Sequence, residues 1–201
     1  MVKKNSISVK SKRKITESLL EIMRETSYNK ISVKDIVEKA GLTRQTFYHN
    51  FKTKEDVIIA ELDEYFKDFF KYLIANRVVD IENIICYYFL YWQKNEDFAK
   101  LMIKNNLEYV FNDRIPKYFK IMKSFIEANS DLAEVELEYT YAAVCGAITT
   151  LLLIWIKNGQ EKNPQEMAKF VMEFMYGNTC QKILPSMVLS PQKEFEAMSK
   201  D

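Results

Sequence analysis

Apolar positions in the first 60 residues recur in short runs at helical spacing, and small polar residues punctuate them. Ile15, Leu19, Ile22 and Met23 fall on one face of a 3.6-residue repeat and predict an amphipathic helix from about Lys10 to Thr26. The run Ser27-Tyr28-Asn29-Lys30 breaks it. Ser32, with Asp35 three residues on, is a capping-box variant. The helix it opens buries Val33, Ile36, Val37 and Ala40 and stops at Gly41, suited to a left-handed C-terminal turn. Thr43 then stands as N-cap of a short helix from Arg44 to about Asn50. Thr53 and Asp56 repeat the capping pattern ahead of a longer helix through Val57, Ile58, Leu62, Tyr65, Phe66, Phe69 and Leu73. Two short helices joined by a tight glycine turn, with a third helix before them, predict a helix-turn-helix.

The helical pattern continues beyond residue 77, over about Asp80–Gln93, Asn95–Lys104, Arg114–Asn129, Glu134–Lys157 and Pro164–Asn178. Gly159 suits a helix end and Pro164 an early helical position, whereas Pro185 and Pro191 make the stretch from Cys180 irregular. The expected fold is all-α with about nine helices. Residues 1–54 are expected to form the helix-turn-helix domain, the helix over 55–77 to connect, and 78–201 to form a helical regulatory and dimerisation domain. Tyr139 to Ile156 runs 18 residues without a charge, the lower edge of a membrane span. It carries Thr140, Gly146, Thr149 and Thr150, and no basic cluster marks a flank. A helix apolar all round is embedded in lipid or in protein. We read this one as packed on its own core and on a second subunit, with no membrane partner.

Composition supports a packed helical chain: 48% of residues are hydrophobic, with only four Gly and four Pro. The net charge of +1 conceals an asymmetry. Residues 1–54 hold 13 basic and 5 acidic side chains (net +8), and residues 55–201 hold 16 and 23 (net −7). A basic head on an acidic body suits a polyanionic partner. Cys86, Cys145 and Cys180 are widely spaced, with no CxxC pair or Cys/His cluster. They read as buried thiols in a reducing compartment, with no metal or cofactor expected. The basic start lacks an apolar run, so no secretory signal is expected and the location expected is cytoplasmic. Phosphate-loop, GxSxG and HExxH motifs are absent, so no enzyme is expected.

The short helix carries the candidate chemistry. With Phe47 and Phe51 turned into the core, Gln45 and His49 lie on the opposite face, flanked by Arg44, Thr46 and Tyr48. Gln can pair with adenine, Arg with guanine, and a Thr methyl can touch thymine. Tyr48, Lys52 and Lys54 suit phosphate anchoring, with Lys34 holding the backbone from the preceding helix. Thr43 and Asn50, at the two ends of the short helix, complete the expected DNA-binding set.

The stretch from Ile31 to Asp56, with Ser32–Asp35, Ala40-Gly41, Thr46-Phe47-Tyr48, Phe51 and Lys54-Glu55, resembles the DNA-binding signature of the TetR family of bacterial regulators. Trp155-Ile-Lys-Asn-Gly159 followed by Pro164-Gln-Glu-Met-Ala168 resembles a Firmicutes-type subgroup. Gln45 and Asn50 depart from the commonest residues at their positions, which bears on the operator sequence read. The resemblance implies an all-helical homodimer, each subunit placing its recognition helix in one major groove of a pseudo-palindromic operator. It implies a four-helix interface from the segments near 134–157 and 164–178. It also implies a small effector bound between the body helices. Candidate lining residues are Phe66, Phe70, Tyr87, Tyr91, Trp92, Met102, Tyr109, Phe125 and Cys145. The expected function is a sequence-specific transcriptional regulator, a repressor, released or modulated by a small molecule. Control by a protein partner is the alternative.

Overall fold

The computed structural model describes residues 2–78, 80–114, 117–118 and 134–177. Among them every regular element is helical. These are α1 (Val2–Glu25), a 3-10 turn (Tyr28–Lys30), α2 (Val33–Ala40), α3 (Arg44–Asn50), α4 (Lys54–Ala75), α5 (Ile81–Lys94) and α6 (Glu96–Lys104). Residues 109–114 form α7, with 117–118 also helical, followed by α8 (Glu134–Lys157) and α9 (Pro164–Met175). Two boundaries differ from expectation. Helix α1 starts at Val2 instead of near Lys10, because no Gly or Pro stops it and the apolar repeat marks only the part facing the core. Helix α7 starts at 109 instead of 114, where Leu107, Val110 and Phe111 are buried. The rest of the helix expected over 114–129, and the irregular tail expected from Cys180, lie outside the described residues.

Local polar chemistry fixes the short N-terminal helices. Ser32 Oγ accepts from the Asp35 N–H at 3.3 Å, and Asp35 accepts from the Ser32 N–H at 2.8 Å. Thr53 and Asp56 repeat the exchange at 3.1 and 2.8 Å. Thr43 Oγ1 accepts from the Thr46 N–H at 3.1 Å and opens α3. Gly41 takes a positive φ of 63°, which lets the Leu42 N–H turn back to the Val37 carbonyl at 2.9 Å and end α2. Caps of this kind contribute about 1 kcal/mol each. Helix α1 then packs across α2, α3 and α4, burying Ile15, Leu19 and Met23 against Ile36, Phe47, Val57, Ile58 and Leu62.

The C-terminal helices meet differently. Helix α5 lies along α9 and touches α8, while α6 packs on α8. Aromatic rings fill the space. Trp92 is buried among Phe66, Tyr88, Phe98 and Phe111, and Trp155 stands edge-on to Phe89 at 5.2 Å. One buried amide joins the two halves. Asn105, just past α6, accepts from the Tyr28 N–H at 2.8 Å and donates to the carbonyls of Met23 (3.3 Å) and Leu101 (2.9 Å). Helix α8 is long and apolar enough to cross a membrane by length and composition. In the fold it buries Leu152, Trp155 and Ile156 on one side and leaves Val135, Tyr139 and Ile154 exposed on the other.

Candidate DNA interface and body cavity

Phe47 is wholly buried and Phe51 nearly so, which turns the other side of α3 outward. Arg44, Gln45, Tyr48 and His49 are exposed, Tyr48 at 59%, and Thr46 is half-buried beside them. Thr43 is exposed, but its hydroxyl is occupied by the cap and lies 2.9 Å from the Thr46 hydroxyl. Lys52 is exposed just after α3, and Lys34 is exposed on α2 with Glu38 at 3.6 Å. An exposed ion pair of that kind holds Lys34 only weakly.

Two residues expected to face DNA are engaged inside the protein. Asn50 uses both ends of its amide: Oδ1 accepts from Ser8 Oγ at 2.8 Å, and Nδ2 donates to the Thr46 carbonyl at 2.7 Å. It therefore straps α3 to α1 instead of presenting a free amide. Lys54 donates from Nζ to the carbonyls of Tyr28 (2.6 Å) and Ile31 (2.8 Å) and sits 4.1 Å from the centre of the Tyr28 ring. Two of its three N–H groups go to carbonyls of the turn before α2, that of Tyr28 also accepting from the Ile31 N–H, so this lysine is a tie within the fold. Burial draws its ammonium below the ordinary lysine value. Two residues near α3 escaped the sequence reading: Ser8, and Lys12, whose ammonium lies 5.8 Å from the Phe51 ring centre. The helix expected from Lys10 left Ser8 outside α1, and no apolar repeat marks it.

Between α4, α5 and α8 lies a cavity of about 230 Å³, lined also by Tyr118 and by Met175 of α9. Of the residues expected to line a pocket, Phe66, Phe70 and Cys145 do so. Trp92 and Met102 are solid core, and Tyr91 packs on Phe69 and Trp92. Tyr87 rests on the exposed ring of Tyr72, and Tyr109 points outward to donate to Glu55 at 3.0 Å. Phe125 lies outside the described residues. The wall also holds Phe69, Ile81, Ile84, Ile85, Tyr88, Tyr118, Thr140, Tyr141, Val144, Ile148 and Thr149, which sequence reasoning missed. Helical spacing marks apolar positions without saying which ones face a void. Burial raises the Cys145 thiol above its ordinary value and keeps it uncharged.

One wall of the cavity is tied to α4 by charge. Tyr118 stacks on Phe66 with ring centres 3.7 Å apart, and its hydroxyl donates to Asp63 Oδ1 at 2.6 Å. Arg114 of α7 grips the same carboxylate, from Nη2 at 2.9 and 3.0 Å and from Nε at 3.2 Å, and Lys117 also donates to it. Burial alone would raise the Asp63 carboxyl. The hydrogen bonds from Lys117, Tyr118 and Arg114 outweigh it and hold the group below the ordinary carboxylate value.

A capped helix-turn-helix with a polar outer face, carried on a helical body, defines a DNA-binding transcriptional regulator. Residues 15–60 match the family model described as bacterial regulatory proteins, tetR family, and residues 79–177 match that of a transcriptional regulator C-terminal region of the same family. The chain belongs to the TetR family of bacterial transcriptional regulators. It is 28% identical over 158 residues to the HTH-type dhaKLM operon transcriptional activator DhaS of Lactococcus lactis, covering 71% of this chain and 79% of that one. Its fold resembles that of a Listeria innocua protein, with a TM-score of 0.70 at 18% identity over 83% of this chain and 90% of that one. It also resembles a TetR transcriptional regulator from Streptococcus agalactiae, with a TM-score of 0.55 at 17% identity over 86% and 97% of the two chains.

Proposed function

We propose that the chain acts as a cytoplasmic homodimer that binds a two-fold symmetric operator through Arg44, Gln45, Thr46, Tyr48 and His49, with Lys34 and Lys52 on flanking phosphates. The observation that carries this reading is the outer face of α3. Its polar side chains point away from a core closed by Phe47 and Phe51, in a segment of net charge +8. Dimerisation uses α8 and α9, whose exposed apolar residues include Val135, Tyr139 (71% exposed), Ile154 and Phe174, with Tyr176 just beyond α9. A second copy covering this face accounts for large apolar side chains in water better than a membrane does, because the other side of α8 is committed to the protein core. The body cavity takes a small effector that changes the spacing of the two heads. Occupancy of a promoter by the dimer represses transcription. The relative named an activator favours the opposite sign when the operator lies upstream of the promoter, and a reporter assay on the native operator separates the two.

The test is selection of bound duplexes from a random library at near-physiological salt, with the mass of the complex measured alongside. A two-fold symmetric site held by two chains is expected. In that site Gln45→Ala relaxes preference at one base position by about 1–3 kcal/mol. Lys52→Ala weakens all sequences alike and lowers the salt slope by about one. Folded, dimeric protein that enriches no sequence defeats the proposal and moves the search to protein partners of the body.

A further inference from the structure

Resting on the effector-cavity reading above, we infer that the cavity binds an uncharged, ring-sized molecule and that Tyr118 transmits its presence to α4 through Asp63. Three observations converge. Among the described residues the cavity wall carries no charged side chain; its polar groups are hydroxyls and the Cys145 thiol. An ion seated among these walls finds no counter-charge on the described residues and gives up part of its water, so a neutral ligand is favoured over an anion or a cation of the same shape. The volume of about 230 Å³ is somewhat larger than the roughly 150 Å³ engineered cavity known to accept benzene. It fits one substituted ring.

The coupling follows from where Tyr118 stands. Its ring is cavity wall, stacked on Phe66 of α4, and its hydroxyl donates to Asp63 one turn earlier on the same helix. Arg114 holds that carboxylate from α7, so α4, α7 and the cavity share one hydrogen-bonded joint. Helix α4 begins at Lys54, the residue that ties the turn before α2. A ring entering the cavity shifts the Tyr118 ring, and the shift changes the geometry of the bond to Asp63 on the helix that carries the DNA-binding head. Tyr118 is thus a positioning residue, and removing only its hydroxyl separates binding from transmission.

The experiment uses benzyl alcohol, benzoate and benzylamine, three probes of one size that differ in charge. Their affinity for the full-length protein is measured with and without the selected operator duplex. Benzyl alcohol is expected to bind at least tenfold more tightly than either ion and to change operator affinity at least about fivefold, with the operator changing its affinity by the same factor. Ile148→Trp, which places a larger ring in the cavity, abolishes probe binding. Tyr118→Phe keeps the ring stack, and whatever its own probe affinity, the coupling factor between probe and operator falls to one in both directions. Benzoate or benzylamine binding as well as the alcohol overturns the ligand class. A Tyr118→Phe protein that keeps the full coupling factor overturns the transmission route, as does a wild type in which the probe binds without changing operator affinity. Failure of all three probes to bind folded wild-type protein defeats the effector-cavity reading itself.

Discussion

Residues 32–62 hold their helices with caps and turns drawn from near neighbours, whereas the body joins rings contributed by segments far apart in sequence. Ser32 meets Asp35, Thr43 meets Thr46 and Thr53 meets Asp56, each pair three residues apart. In the body, Phe66 of α4 touches Tyr88, Trp92 and Tyr118. The head is built to keep one shape, because a recognition helix must present side chains to base edges at fixed positions. The body has a cavity of about 230 Å³ beside its aromatic core, where helices meet without full side-chain contact. Fixed side-chain positions in the head and a cavity in the body are the features on which the proposed effector control rests.

The largest expected difference compares opposite packing changes, a ring removed from the head and a ring added to the body. Phe47→Ala removes a fully buried ring from the small head core and is expected to cost about 3–5 kcal/mol in denaturant unfolding, with operator binding lost. Ile148→Trp adds volume in the body, where the cavity can accept it, and should change unfolding free energy by no more than about 1 kcal/mol. If the tryptophan costs as much as the alanine, the body is as tightly packed as the head and the contrast collapses.

The joint between the regions comes next. Asn105→Leu is close in size but cannot pair the Tyr28 N–H or the Met23 carbonyl, and each orphaned buried group costs about 1–3 kcal/mol. A loss of about 2–4 kcal/mol is expected, with hydrogen exchange at Tyr28 accelerated more than exchange within α9. Equal acceleration in both places would show that the amide steadies the whole protein and not the joint.

The head was legible because its signals are local. Cap, turn glycine and apolar repeat lie within a few residues of one another, and Ser32, Gly41, Thr43 and Thr53 act as their spacing implies. Asn50 and Lys54 are engaged within the fold for a common reason, one that local spacing does not carry. Each polar group finds its partner on another element, Ser8 for one and the Tyr28 and Ile31 carbonyls for the other. The cavity was half legible. Phe66, Phe70 and Cys145 are apolar positions facing inward and line it, but Trp92 satisfies the same criterion and is solid core. The difference between a ring that lines a void and one that fills it depends on how three helices meet. No spacing in the chain encodes that.

The smallest expected effect concerns Asp63, and its sign follows from linkage. The folded carboxyl is held below its ordinary value of 3.8, with the hydrogen bonds from Lys117, Tyr118 and Arg114 prevailing over burial. A group whose value is lower folded than unfolded adds stability that is fully present above the unfolded value. That stability is lost as pH falls through the folded one. Wild-type unfolding free energy should therefore drop on acidification below about pH 4, where Asp63 of the unfolded chain takes up a proton that the folded carboxylate still refuses. Asp63→Asn removes this proton-linked part, so the variant is less stable at neutral pH and its curve falls less steeply in acid. Parallel curves for the two proteins would mean that the Arg114–Asp63–Tyr118 joint adds no proton-linked stability, and that the body holds α4 by ring packing alone.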